Sequence, residues 1–527
     1  MALPASRVDL AAPPNIPAAH VGQRFFARLL VPNLSIVLAM ATLSYSLFVF
    51  GGPEKFFRDS DSGWHIRDGE SILANRTLPR TDPYSFSKPG EPWIAWEWAS
   101  DVLLGLAHRW SGLRGVTMLI GLAIAACTWM CCRLHFAAGG DFLVAALLAP
   151  PMITTASLHW LARPHIFSWL FLIGSLLYAE KRSRELPSRP RGLELGAVAA
   201  ITAVWANMHA SFFFAPAIAL IYAGSHFIKP LLWPADAGLE RERGRWFLEV
   251  APAALGGSLI NPYGWRLHEH VLSFMRNEDL TSHVAEFQSF NFHSAGAAQI
   301  SLALGIATVG GILALGQRKL AHFLLAAAFV WGGLRSARVL PLLALLLLPL
   351  ANGAITEALR AIRSLRPGVK AVLDSALDYS ARLRMIDLRV NGTLLCGLLA
   401  VVAFVAMPSP EFSPNQFPVA AMPALEHLPG GTRLFAPDSY GGYIIYRFNG
   451  ERKVFIDGRS DFYGSDFMKQ YLTLVEARPG WEKTVRSFGF THALLPTDSP
   501  LIQALKHAGW IGIHEDKVST LLEARGL

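Results

Sequence analysis

The chain has 527 residues, 52% of them hydrophobic and only 16% charged, with a formal net charge of +8 and a mean hydropathy of +0.34. Soluble globular chains carry charge on about 25% of residues, so this composition excludes an ordinary soluble fold and points to a polytopic membrane protein. Lys and Arg fall in short loops between apolar segments, which excludes a nucleic-acid partner. Cys127, Cys131, Cys132 and Cys396 lie in or beside apolar segments, which excludes a disulfide framework and a Cys metal site.

Residues 1–28 read as a cytoplasmic tail, Pro- and Ala-rich over the first ~20 positions and closing on Arg24 and Arg28. The apolar run 29–50 follows without a cleavage site, so it is expected to stay as an anchor rather than leave as a signal peptide. A hydrocarbon core takes roughly 20 apolar helical residues. On that ruler about eleven spans are expected, near 29–50, 113–132, 141–158, 165–180, 193–209, 211–229, 246–262, 297–316, 319–334, 338–355 and 391–407.

The basic loops alternate with these segments. Arg24 and Arg28, Arg133, Lys181 to Arg184 with Arg189 and Arg191, Arg241 to Arg245, Arg318 and Lys319, and Arg360 to Arg384 all fall on one side. Positive residues mark the cytoplasm, which puts the N-terminus inside and, with an odd number of spans, residues 408–527 outside. The same alternation places the large first loop, 51–112, outside. Its last part, 99–110, reads either as an amphipathic interfacial helix anchored by Trp93, Trp96, Trp98 and Trp110 or as the start of a long tilted second span.

Residues 408–527 alternate short β-type runs with helical ones, as a small α/β domain does. Helices are expected near 418–428, 440–448, 466–477, 481–488 and 501–508, and strands at 432–436, 453–457, 491–495, 510–514 and 518–523. Asp457-Gly458-Arg459 follows one of these strands, where open α/β sheets place ligands, although Gly beside Asp is the commoner mark of a turn and cap.

Chemistry concentrates at 59–98, a long loop rich in carboxylates, a histidine and indoles. Asp59 or Asp61 can act as general base on an incoming hydroxyl. The pair can instead share a divalent cation such as Mg or Mn, or Asp61 and Ser62 can simply cap the helix that begins there. Glu97 is a second candidate carboxylate, for acceptor positioning or metal. Further polar clusters are expected on the same face: His159 with Arg163 and His165, Asn207 with His209, the turn of Asn261 and Tyr263, Glu286, Arg335 and Arg338. Taken singly, each is as well explained by a turn or a snorkelling side chain. Together they predict a shared cavity, because polar groups at membrane depth are costly and line sites. Arg163, His165, His209, Arg335 and Arg338 would hold a phosphate or pyrophosphate. Trp64, Trp93 and Trp96, beside His65, would stack on sugar faces.

The run Asp59-x-Asp61-x-Gly63-Trp64-His65, with Leu78-Pro79-Arg80-Thr81-Asp82-Pro83-Tyr84-Ser85 and Trp96-Glu97-Trp98 after it, resembles the first outer loop of bacterial multi-span GT-C-type glycosyltransferases. These are relatives of the dolichyl-phosphate-mannose protein mannosyltransferases. The similarity extends through Arg163-Pro164-His165, Asn207-x-His209, Asn261-Pro262-Tyr263-Gly264, Gly441-Gly442-Tyr443 and Asp457-Gly458-Arg459, and so over most of the chain. It implies a polytopic α-helical GT-C-like membrane domain, 29–407, with acidic catalytic residues in its first outer loop, and an extracytoplasmic α/β domain, 408–527. It also implies a bacterial inner membrane, a polyprenyl-phosphate-linked sugar donor, and inverting transfer to a glycan, lipid or protein acceptor. Ser60 separates two aspartates where the mannosyltransferases have adjacent Asp and Glu, which leaves open which carboxylate is the base and whether metal takes part.

Three other functions fit the composition. A transporter or flippase of lipid-linked glycans would place charged or broken helices near the midplane, whereas these clusters sit at one face. A polymerase or ligase would pass whole oligosaccharide units through the same site. A structural protein would use its outer domain to bind a partner.

Overall fold

The computed structural model describes residues 29–49, 51–185, 192–387 and 389–525. The tail 1–28 with Arg24 and Arg28, and the basic residues Arg189 and Arg191, lie outside the described residues. A helix stands on each of the expected apolar segments: Leu34–Phe48, Trp98–Ala137, Phe142–Ala156, His165–Arg184, Gly192–Met208, Phe214–Leu232, Ala237–Ser258, Ala297–Gly316, Leu320–Arg335, Leu340–Ala361 and Thr393–Ala406. Among the described residues, 5 helical segments suffice by length and composition to cross a membrane, namely Trp98–Ala137, Phe142–His159, Ala210–Leu232, Ala297–Gly316 and Ala337–Ala361. Leu34–Phe48, Gly192–Met208, Leu320–Arg335 and Thr393–Ala406 are shorter apolar helices. His165–Arg184 and Ala237–Ser258 carry charged end turns, with Lys181, Arg182 and Arg184 in the first and Glu240 in the second.

Both readings of residues 99–110 hold part of the answer. One 40-residue helical run, Trp98–Ala137, includes them, but its backbone leaves helical values at Ser111 and Gly112. Gly112 has φ 57° and ψ −147°, a conformation that only glycine adopts cheaply, so the apolar rod and the amphipathic segment before it meet at a kink. The basic stretch after Ala361 forms a helix of its own, Pro367–Asp387, that the apolar pattern did not announce. It is tied to the bundle by Ser380 Oγ, which accepts the Phe142 N–H at 3.2 Å, and by Asp387 Oδ1, which accepts the Leu34 N–H at 2.5 Å.

The C-terminal segment forms a four-stranded sheet in the order β1-β2-β4-β3, with β1 Leu434–Phe435, β2 His492–Pro496, β3 Ile511–Glu515 and β4 Ser519–Glu523. β1 runs parallel to β2, and the other pairs are antiparallel. Helices Asp438–Arg447, Ser460–Val475 and Trp481–Phe488 lie between β1 and β2, Pro500–His507 lies between β2 and β3, and β3 leads directly into β4. The expected strand at 453–457 is not part of this sheet. Val454 instead bridges to Ser85 of the first loop, exchanging backbone hydrogen bonds of 3.0 Å with Tyr84 and Phe86. The β-type run thus finds its partner outside its own segment. The expected helix 418–428 shortens to a 3-10 turn, Val419–Ala421, and the five-residue helix Met422–Glu426.

The element that carries the first-loop aspartates, helix Asp61–Asn75, lies between two backbones at glycine contacts. On one side a Cβ at Gly63 would stand 2.2 Å from the Gly442 carbonyl oxygen, and one at Gly442 would stand 2.2 Å from that of Ser60. On the other side a Cβ at Gly69 would stand 1.7 Å from the Asp101 carbonyl oxygen. Arg67 adds two hydrogen bonds to the Tyr446 carbonyl, at 2.9 and 2.8 Å. Because the obstructing atoms are backbone, a methyl group at Gly442 can be housed only by separating the segments. Gly442→Ala is expected to cost about 1–3 kcal/mol and to lower the melting temperature of the detergent-solubilised chain. Gly431→Ala, an exposed position with nothing near its added Cβ, is expected to leave it unchanged.

Candidate functional site

A 3-10 turn, Gly52–Phe57, carries the chain from its first helix to Asp59. Asp59 Oδ1 accepts the Asp61 N–H at 3.0 Å. The N-cap position of the first-loop helix is Ser60, whose side chain makes no cap bond, so neither Asp61 nor Ser62 caps the helix as the cap reading had it, and Asp59 takes the Asp61 N–H. This leaves the Asp61 side chain free to point elsewhere. Arg163, in the turn before helix His165–Arg184, reaches into this corner and organises it. Its Nη1 donates to Asp59 Oδ2 at 2.7 Å and to Glu286 Oε1 at 3.0 Å, and its Nη2 lies 3.0 Å from Asp61 Oδ2. Glu286 Oε2 is also met by Arg338 Nη2 at 3.3 Å. Residues far apart in sequence thus form one ionic cluster.

The same proximity sets the electrostatics. Burial pushes the Asp61 carboxyl up to about 8, Asp59 adds to the rise, and Arg163 opposes it. Burial alone would raise Glu286 and lower Arg163. Instead, Arg163 and Arg338 hold the Glu286 carboxyl well below its usual range, and Asp59, Glu286 and Asp61 hold the Arg163 guanidinium well above its own. Gly458 makes room for Asp61, since a Cβ there would fall 1.8 Å from Asp61 Oδ1.

Glu97 heads the long kinked helix and faces two imidazoles, with His209 Nε2 3.4 Å from Oε1 and His65 Nε2 3.9 Å from Oε2. Asp101, one turn further along that helix, takes His65 Nδ1 at 2.6 Å, while His209 Nδ1 accepts the Ser211 N–H at 3.1 Å. His65 pairs with Asp101 through Nδ1 and turns its Nε2 edge toward Glu97. His209, accepting at Nδ1, turns an N–H toward it. Burial raises the Glu97 carboxyl to about 7, against the pull of Arg163 and Arg338. Asp101 was not singled out for this role, although its place one helical turn beyond Glu97 put it on the same face.

Several expected substrate contacts turn out to be occupied. Trp64 and Trp93 are 5% and 4% exposed and pack edge to face with each other, so neither offers a face to a sugar. Trp96 meets His270 and Phe274 edge-on at 5.1 and 6.0 Å. His165 Nε2 bonds the His159 carbonyl at 2.7 Å. Asn207 accepts from Trp98 Nε1 at 2.8 Å and donates to the Ala203 and Ile260 carbonyls. Asn261 closes its own turn through Tyr263 N–H and the Ser258 carbonyl, and Tyr263 OH accepts the Ala95 N–H at 3.0 Å. These polar groups were recognisable but not their work, which is to fix the loop that presents Glu97. Arg335 is exposed, with its guanidinium over the Trp331 ring at 5.5 Å.

Asp457-Gly458-Arg459 takes the turn reading. Arg459 binds Asp457 through Nε and Nη2 at 2.8 and 2.7 Å, and its Nη2 also binds Asp82 Oδ1 of the first loop at 2.7 Å. All three side chains are buried. His270 and Asp461 form a second tie, at 3.0 Å. The C-terminal segment therefore borders the acidic corner directly.

Among the described residues, no group of three or more His, Cys, Asp or Glu side chains is placed to hold a metal ion. Asp59 and Asp61 each give an oxygen to Arg163, so the position between them is already taken by a cation of the chain itself. The donor set as it stands does not fit a divalent cation.

No family model and no curated protein matches the sequence. Among solved structures, the chain is similar to the oligosaccharyltransferase of Archaeoglobus fulgidus in its apo form. The TM-score is 0.55 at 12% identity, over 90% of this chain and 69% of that one. The likeness is one of fold.

Asp68, buried in the same helix, is raised to about 7 by burial against the pull of Arg459. Asp61, Asp68 and Glu97 thus bind a proton more tightly folded than unfolded. The contribution of these three groups to stability therefore falls as pH rises, from about 4 up to the folded value of each. Asp68→Asn is expected to remove its share of that fall, so that the difference in stability between variant and wild type changes by up to about 1.4 kcal/mol per pH unit between about pH 4 and pH 7 and levels off above it, read from melting temperatures of the two chains across that range.

Proposed function

We propose that the chain transfers a sugar from a polyprenyl-phosphate-linked donor to an acceptor hydroxyl at the outer face of a bacterial inner membrane, with inversion at the anomeric carbon. The observation that carries this reading is the Arg163-centred cluster of Asp59, Asp61 and Glu286, set beside Glu97, His65 and His209 on a GT-C-type fold. In this reading residues 29–407 form the membrane domain, 408–527 the extracytoplasmic α/β domain, and the N-terminus is cytoplasmic. The fold likeness to an oligosaccharyltransferase supports lipid-linked glycan transfer in general, including transfer of whole oligosaccharide units.

Asp61 is the proton acceptor in this proposal. Its carboxylate is made basic by burial and by Asp59, which matches a general base to neutral pH. Arg163 fixes its orientation through Oδ2. As the acceptor O–H proton passes to Asp61, the oxygen attacks the anomeric carbon and the bond to the carrier phosphate breaks. The departing phosphate takes the electron pair and faces the guanidinium of Arg338. Glu97, oriented by the two imidazoles, holds the acceptor by hydrogen bonding.

The test is transfer from a panel of labelled polyprenyl-phosphate sugars by membranes carrying the full chain. Asp61→Asn is expected to lose at least about 100-fold in rate with unchanged expression. Glu97→Gln is expected to raise the acceptor KM more than it lowers kcat. The wild-type rate should climb with pH and be half-maximal near pH 8, where the Asp61 carboxyl ionises. If Asp61→Asn transfers as the wild type does while Glu97→Gln is inactive, the base is Glu97. If neither variant changes transfer, the site assignment fails.

A further inference from the structure

We infer that Arg163 is the resident cation of this carboxylate site, standing where a divalent metal ion would otherwise bridge Asp59, Asp61 and Glu286, so that the wild-type chain takes up no metal there. Three carboxylates from two separate segments, Asp59 and Asp61 on one and Glu286 on the other, close on one guanidinium at 2.7, 3.0 and 3.0 Å. Hard divalent cations draw oxygens to about 2.0–2.6 Å around a point charge. A planar guanidinium with five donors spreads its acceptors wider and in a fork. The arrangement has the second character. Arg163 Nη1 is shared between Asp59 and Glu286, while Nη2 serves Asp61.

Charge and position support the same conclusion. Arg338 meets the outer oxygen of Glu286, and the charge of Arg58 acts on Asp59 and Glu286. Two guanidinium groups, Arg163 and Arg338, thus already face these carboxylates, with the charge of Arg58 nearby, and a further double positive charge would have to enter beside them. Arginine stays protonated at any pH the protein survives, so the position is not vacated by titration. A tethered cation also cannot be chelated away. The function that this cation serves rests on the transferase proposal, but its presence does not, and the two can be tested apart.

The experiment is a titration of the purified full chain in detergent with Mn2+, read by electron paramagnetic resonance, which needs no enzymatic turnover. The wild type is expected to bind no Mn2+ below about 1 mM, the weak end of built oxygen sites. Its melting temperature should be unchanged by EDTA. Arg163→Gln is expected to gain one Mn2+ per chain, lost again in the double variant Asp59→Asn/Arg163→Gln. Stoichiometric Mn2+ on the wild type that disappears in Asp59→Asn overturns the inference. So does an Arg163→Gln chain that melts cooperatively and binds no Mn2+. Should Arg163→Gln fail to fold, the wild-type titration decides by itself, with bound Mn2+ against the inference and its absence in favour.

Discussion

Everything at the candidate site depends on how closely one short helix, Asp61–Asn75, is allowed to approach its neighbours. Its glycines let it press backbone to backbone against the long helix at Asp101 and against the C-terminal segment at Gly442. Such contact leaves no freedom for the helix to slide or turn, so the first residues of its initial turn are placed to within the tolerance of packed backbone. Asp61 then falls against Gly458, and His65, one turn on, falls against Asp101. A site built on a helix held in this way is far better defined than one on a free loop of the same composition.

The cluster itself is an expensive object, because taking several charges out of water costs more than any single pair recovers. It persists because nearly every oxygen facing inward has a guanidinium or an N–H, and because the cations and anions come from separate segments that packing already holds in place. The arrangement has two adjoining parts. On one side a strongly polarised ionic corner around Arg163 holds Asp61 at raised basicity. On the other, Glu97 sits between neutral imidazoles whose orientations are set by Asp101 and Ser211.

The C-terminal segment is part of this construction rather than an attachment to it. Arg459 is buried between Asp457 and Asp82, with the rings of Trp93 and Tyr84 within 4.7 and 5.2 Å, so removing the segment would strand an acid of the first loop inside the protein. Val454 spends its strand propensity on Tyr84 and Phe86 rather than on the sheet. The loop and the segment therefore fold as one body.

Apolar runs of span length, the turns between them, and the alternation of strand and helix after residue 408 were all legible in the sequence, because each is a local periodicity that burial in lipid or in a core imposes directly. So was the concentration of carboxylates after the first helix, and the expectation that Arg163, Glu286 and Arg338 would meet it. What the residues would do there was not legible. Trp64 and Asn207 carry the same letters whether they face a sugar or brace a loop, and only their neighbours decide. Asp59 meets Arg163 across 104 positions, and Asp82 meets Arg459 across 377. A partner at such separation leaves no periodic trace in a single sequence, since it is selected by how helices pack and not by the pattern along any one of them. That is why a cation at the centre of the carboxylates could be expected from the sequence, while only the tertiary structure decided that the cation is an arginine of the chain itself.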